Sequence, residues 1–418
     1  MKRHLVVLLL SALMAASAAA QALPAAPADS ALFTSIGRIL QTLEEITGLK
    51  ALKPVQHELI GREQVKKFLE DRIREEVKPE ELRAEELTLK KFGFVPPEFD
   101  LKKTTVELLT EQAAAFYDYR KKRLYILDSQ DTALQQMALA HELAHALADQ
   151  HFNLDKYIRR GRESDDGAMA RLAVMEGQAM WIMAESMAKQ MNLSLKSSPA
   201  LAEYMGREMS ASAGQFPVFE NAPLYIQETL LFPYTKGILF QQALIQKYGQ
   251  EGFALVFQKP PLSTRHILHP ETYFAGEKPT SPALPALKTA REYRTLAEGS
   301  LGQLDLMILL RQYAGAAEAA AVAPRWRGGV YRVLEHKKDR RAVLAFCVDW
   351  DSEQTAREFL GLYRKVLEGK WKKPDVRAAS EDEIRGAGDD GRFVVRRAGT
   401  AVSSVEGLRP EEERALER

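Results

Sequence analysis

The chain has 418 residues, 46% hydrophobic and 28% charged, which is a globular composition and excludes a fibrous repeat or a Pro/Gly polymer. Its 58 Lys and Arg balance 57 Asp and Glu, a net charge of +1, so the chain lacks the overall basic footprint expected of a nucleic-acid partner. One cysteine, Cys347, excludes an internal disulfide framework and any cysteine-rich metal site. It lies in an apolar run and reads as an inert buried thiol.

Lys2 and Arg3 precede an apolar stretch, Leu5 to Ala20, and small residues follow. This pattern predicts a secretory signal peptide over residues 1–20. The sixteen residues of that stretch, apolar apart from Ser11 and Ser17, rise ~1.5 Å each and reach about 24 Å, short of a ~30 Å hydrocarbon core. No later run of 18 apolar residues occurs, so no integral membrane segment is expected after removal of the leader. An exported chain with one thiol fits a bacterial periplasm or exterior.

Residues 31–95 read as mostly helical, with Ile36, Ile39, Leu40, Leu43 and Ile46 at helical spacing, then Val65, Phe68, Leu69 and Ile73. Gly93 and Pro96-Pro97 close that run. Residues 114–127 predict a hairpin, with Ala115, Tyr117 and Tyr119 on one face and Leu124 to Leu127 in the second strand. Long helices follow over about Asp131–Gln150 and Ser164–Met191, the second with Ser164 as N-cap and Asp165 and Asp166 in its first turn. Tyr234–Tyr248 predicts another helix, and 300–323 is Leu- and Ala-rich and helical. Strands are expected at Val330–Leu334, Ala342–Val348 and Phe393–Val395, with a helix over 352–367. Trp326, Trp350 and Trp371 are expected as core anchors.

The most specific signal is His141-Glu142-Leu143-Ala144-His145. In a helix, positions i and i+4 share a face, so both imidazoles can point at one ion. Glu142 lies about 100° around the helix, beside the ion, where it can hold and deprotonate a water. Histidine is scarce, 8 in 418, and the flanking Ala138, Leu143, Ala144 and Leu147 suit a buried helix. His151 sits six residues after His145, but Ala148 stands where a turn-forming glycine would be needed, so His151 is expected outside the ligand set.

A catalytic zinc usually takes three protein ligands. The downstream carboxylates are Glu163, Asp165, Asp166 and Glu176. Glu163 lies in a charged loop. Glu176 sits among Leu172, Ala173, Val174, Met175, Ala179, Met180 and Trp181, where a carboxylate is costly unless it is paired or holds a metal. Glu176 is therefore the expected third ligand, and Gly177 beside it leaves room for a close helix. Asp149, one turn past His145, and Asp166 are candidates for orienting the ligand imidazoles.

His141 to Phe152, together with Ala173-Val174-Met175-Glu176-Gly177-Gln178-Ala179, resembles the gluzincin group of zinc metallopeptidases, and more closely a set of secreted bacterial proteins of that type. Phe232-Pro233-Tyr234 with Gly237, Ile267-Leu268-His269-Pro270 with Tyr273, and Trp326 to Tyr331 with Trp350-Asp351 are similar to that set too, so the resemblance touches about residues 115–368. In one respect the chain departs from it: thermolysin-type enzymes follow the ligand Glu with an Asp four residues later, and here that position is Met180.

The resemblance implies an α+β fold with a zincin-like, predominantly helical catalytic core. It implies Zn²⁺ held by His141, His145 and Glu176, Glu142 as general base, and hydrolysis of a peptide or protein substrate. A second donor for the developing oxyanion is expected from Tyr234 or His269, with Arg265 and His266 as further candidates. The strand at Leu124–Leu127 could pair with an extended peptide. The expected organisation is a cap or pro-segment over 21–110, the core over 111–323, a small α/β subdomain over 324–408 and a frayed charged tail over 409–418. The competing reading is a metal-binding, non-proteolytic envelope chaperone or assembly factor.

Overall fold

A computed structural model describes residues 28–61, 63–64, 67–68, 71, 78–112, 115–127, 132–213, 216–287 and 289–415. The expected leader over 1–20 and the positions Val65, Leu69 and Ile73 lie outside the described residues. The chain is a mixed α+β protein with two sheets. Among the described residues no helix is long and apolar enough to cross a membrane.

The N-terminal region begins with helix α1, Ala28–Thr47, which buries Ile36, Leu43 and Ile46 as its spacing predicts. Residues 56–60, expected within a helical stretch, instead form strand β1, Gln56–Ile60. Its backbone hydrogen bonds are made in parallel to a strand far along the chain, with Gln56 opposite Arg123 and Ile60 opposite Leu127. A pairing partner so distant in sequence leaves no local periodicity to read. The helix Pro79–Phe92 stops at Gly93, whose φ of 81° is left-handed and suits glycine, as its place in the sequence predicts.

The expected hairpin is present as β2, Ala115–Asp118, and β3, Arg123–Leu127, antiparallel with Ala115 opposite Ile126. The sheet order is β1-β3-β2. β3 is thus central and both its edges are paired, so the strand at Leu124–Leu127 has no edge to offer a peptide.

Three long helices carry the middle of the chain: α2, Thr132–Phe152; α3, Asp165–Gln190; and α4, Leu224–Tyr248. Ser164 caps α3, its hydroxyl accepting from the Gly167 N–H at 3.1 Å. α4 starts ten residues before its expected start at Tyr234 and runs through Pro233. Proline removes one donor and normally breaks a helix, but here packing along α3 outweighs that cost. The two helices meet at glycines: a Cβ on Gly177 would lie 2.1 Å from the Gly237 carbonyl carbon, and one on Gly237 would lie 2.3 Å from the Ala173 carbonyl oxygen.

The C-terminal part is a seven-stranded antiparallel sheet of order β4-β5-β6-β10-β9-β8-β7. Its members are β4, Tyr293–Ser300; β5, Trp326–His336; β6, Ala342–Trp350; β7, Asp375–Ser380; β8, Glu383–Gly388; β9, Gly391–Ala398; and β10, Ala401–Leu408. The helices Gln303–Tyr313 and Glu353–Lys370 interrupt the strand order. Tyr331, Val333, Leu344, Phe346, Val395 and Val402 face a core shared with Phe359, Tyr363 and Leu367, and with Phe92 and Phe94 from the N-terminal region. The sheet therefore begins at Tyr293, before the expected boundary at 324. Trp326 and Trp350 are buried core residues, and Cys347 is buried with its thiol pushed up to about 11 by burial.

The tail is not frayed through residue 415. Pro410–Ala415 forms a helical turn. Its Glu412 is buried, pairing with Arg341 at 3.0 Å and accepting from the hydroxyls of Thr289, at 3.2 Å, and Tyr293.

Candidate metal centre

The motif helix α2 is buried throughout 137–149, and its sides differ in chemistry. Leu139, Leu143 and Leu147 are packed in the same core cluster as the apolar side of α1, while His141 and His145 face α3. There they meet Glu176. His141 Nε2 lies 3.1 Å from Glu176 Oε2, His145 Nε2 lies 3.3 Å from the same oxygen, and the two Nε2 atoms are 3.0 Å apart. All three residues are buried, Glu176 completely. This is the one His/Cys/Asp/Glu group able to hold a metal among the described residues.

The triangle tests whether the residues suit zinc. Ligands at ~2.0–2.1 Å in tetrahedral array are separated by roughly 3.3 Å, which is close to all three edges. The second carboxylate oxygen of the same ligand candidate, Glu176 Oε1, is buried without a hydrogen-bond partner. Buried polar atoms are normally satisfied, and two imidazole nitrogens facing each other across 3.0 Å with a carboxylate between them converge on a shared point. The donor set, two nitrogens and one carboxylate, is one that zinc and other divalent transition metals accept.

The electrostatics follow from burial and mutual charge. Burial holds the His141 imidazole down to about 4, against the pull of Glu176. Burial also opposes charge on His145, but Glu176, Glu142 and Asp149 outweigh it and raise the imidazole. Glu176 is lowered: burial works against its charge and the two histidines override it.

Glu142 bridges the triangle and β2: His145 and Glu176 are near enough to act on its carboxyl, and one oxygen reaches the strand. Its Oε2 accepts the Tyr117 N–H at 2.7 Å, and burial pushes its carboxyl up to about 8. Tyr117 also donates its hydroxyl to Asp149 at 2.9 Å, and Asp149 further accepts from Lys122 Nζ at 2.7 Å and the Leu154 N–H at 2.8 Å. Asp149 thus ties β2 to α2 and takes neither an imidazole nor an arginine as hydrogen-bond partner. The role of Tyr117 leaves no sequence signal: no spacing rule connects a strand residue to a helix 25 positions later.

The remaining candidates divide clearly. Tyr234 is fully buried with its ring centroid 6.2 Å from that of His141, so α4 brings it to the site. His269 is not with it. Its Nε2 lies 3.0 Å from Gln303 Nε2 and its Nδ1 3.6 Å from Glu271, and burial lowers its pKa. His266 has both nitrogens engaged, Nδ1 accepting from the Leu262 N–H and Nε2 donating to the Glu277 carbonyl. Arg265 donates to the Pro324 carbonyl. His151 Nε2 meets the Lys50 carbonyl at 2.8 Å on the surface. Glu163 is exposed, and Asp165 accepts from the Tyr331 hydroxyl at 2.8 Å. Asp166 accepts from Thr264 and orients no imidazole.

The chain is thus defined by a buried His–His–Glu triangle between two helices, joined to a seven-stranded antiparallel sheet. A family model described as a domain of unknown function (DUF8575) matches residues 291–417. The match spans the large sheet and contains none of His141, Glu142, His145 or Glu176. No curated protein and no solved structure matches the chain.

Proposed function

We propose that this chain is an exported zinc-dependent metallopeptidase with a zincin-like core. The observation that carries the reading is the triangle of His141 Nε2, His145 Nε2 and Glu176 Oε2 with edges of 3.0–3.3 Å. Zinc held there would polarise a peptide carbonyl and acidify water. The chain's own residues supply the rest. Glu142, one position after the first ligand, takes the proton from the attacking water and returns it to the leaving amine. The Tyr117 N–H fixes one of its oxygens, leaving the other for that exchange. Tyr234, whose ring packs beside that of His141, is the candidate second donor. The basic start and apolar run of residues 2–20 support export.

A second reading, a metal-holding envelope protein without proteolysis, is favoured by one observation. His141, Glu142, His145 and Glu176 are each no more than 6% exposed, so a protein substrate reaches them only after the surrounding helices part.

Two variants separate the readings. Zinc per chain, by elemental analysis, is expected near one in the wild type and well below that in Glu176→Ala; full zinc in the variant would remove Glu176 from the ligand set. Glu142→Gln keeps an oxygen for the Tyr117 N–H and is expected to retain zinc while losing at least about 100-fold in hydrolysis of an unfolded protein substrate. A zinc-loaded wild type that cleaves nothing more than Glu142→Gln does would decide for the second reading.

A further inference from the structure

Eleven residues before Glu176, about 16 Å along the same helix, α3 begins at a separate cleft of about 720 Å³. The cleft lies where the N-terminus of α3 meets β4, β5 and the loop around Thr280, a volume in the range of small-molecule sites. It is independent of the metal centre and stands whether or not the peptidase reading does.

The chemistry of the lining is one-sided. Asp166 contributes to it while being only 3% exposed. Its Oδ1 accepts from the Thr264 N–H at 3.0 Å and the Thr264 hydroxyl at 2.6 Å, but its Oδ2 is buried without a hydrogen-bond partner. An unsatisfied buried carboxylate oxygen costs free energy until a donor reaches it. Ser164 and Ser300 line the same cleft with their hydroxyls 2.9 Å apart, and Ser300 accepts the Asp166 N–H at 2.9 Å. Glu163 adds an exposed carboxylate that makes no ion pair among the described residues. Arg332, the basic residue of the lining, is already held by Glu298 at 2.9 Å. Leu262, Leu284 and Val330 give the remaining wall an apolar character.

An occupant that answers this lining carries a positive donor head on a short apolar stem. One free carboxylate oxygen suits the compact ammonium, with three donors, better than a guanidinium, which seeks two oxygens side by side. We propose that the cleft at the N-terminus of α3 binds a primary alkylammonium group through Asp166, with Glu163 at its rim. Such a group belongs either to a lysine side chain of a peptide or to a free diamine.

Calorimetric titration of the whole chain at fixed ionic strength and about pH 8.5, above the value near 7 to which burial pushes the Asp166 carboxyl, tests this. The probes are Nα-acetyl-lysine N-methylamide, 1,5-diaminopentane and Nα-acetyl-norleucine N-methylamide, which keeps the stem and lacks the ammonium. Saturable binding of at least one ammonium probe and none of the norleucine probe is expected. The lysine amide points to a peptide source and the diamine alone to a free amine. Asp166→Asn is expected to weaken binding at least about ten-fold, as loss of a charged hydrogen bond predicts. Ser281→Trp, on the exposed wall, fills the cleft without touching the core and is expected to abolish binding, which keeps the test decisive if Asp166→Asn folds poorly. No saturable binding of either ammonium probe, equal binding of the norleucine probe, or unchanged affinity in Ser281→Trp would overturn the proposal.

Discussion

Single residues in this protein are defined by what burial does to their charge. Asp166 is the clearest case away from the metal centre. Burial pushes its carboxyl up to about 7, against two hydrogen bonds from Thr264, with Asp305 and Asp165 adding to the rise. An unfolded aspartate titrates near 3.9, so between about pH 4 and 7 the folded chain binds the proton more tightly than the unfolded one. Stability falls as pH rises through that window. Asp166→Asn removes this term, so its stability relative to wild type should improve as pH goes from 4.5 to 7 in urea unfolding; parallel pH profiles for the two chains would contradict the assignment. Glu176 shows the opposite balance. It is more deeply buried, yet lowered, because two imidazoles meet its one engaged oxygen.

The helix pair α3 and α4 decides whether the metal site exists at all. Glu176 and Gly177 are consecutive, so the face that presents the ligand adjoins the face that touches Gly237. The backbones meet there with no room for a Cβ on either glycine. Gly177→Ala would gain roughly 1 kcal/mol of helix propensity and lose more through the clash, since overpacking typically costs ~1–3 kcal/mol. A lowered unfolding midpoint and weaker zinc retention are expected together. Retained zinc with unchanged stability would mean that the helices can separate without moving Glu176. The same crossing explains α4's unbroken course through Pro233: a helix held along its length by a neighbour tolerates one missing hydrogen bond.

In the whole molecule, α3 joins two cores. Its first half, Met169 to Met175, packs into the core shared with the large sheet, and its second half, Ala179 to Ala188, packs into the core of α1 and α2. A rigid helix spanning both cores couples them. Unfolding in urea should therefore be one transition, with tryptophan fluorescence and far-ultraviolet circular dichroism coinciding. Trp181 reports the second core and Trp326 and Trp350 the first, so a Trp181→Phe variant whose fluorescence transition separates from that of the wild type would indicate independent units. The buried Glu335 on β5, paired with Arg294 at 2.7 Å and Arg340 at 3.2 Å and bonded to Arg83 of the N-terminal region, adds a polar tie across the same assembly.

Features that depend on neighbours within a few residues are legible along the chain. The i, i+4 histidines, the N-cap at Ser164, the stop at Gly93 and the hairpin at 115–127 are local, because helical and strand periods place side chains without reference to the rest of the chain. Glu176 was also legible, since a lone carboxylate amid apolar residues implies a partner. Features that require two distant segments to meet leave no such local trace. β1 exists because β3 offers it an edge; β4, β7, β8 and β10 join the strands expected at 330–334, 342–348 and 393–395 in one sheet; Tyr117 reaches Glu142, and Asp149 takes Tyr117 and Lys122 instead of an imidazole. His269 had the right residue type and the wrong place, turned to Gln303 and Glu271. Residue type and period are written along the chain, but contacts across it are set by which faces pack together, and that is fixed only when the whole core forms.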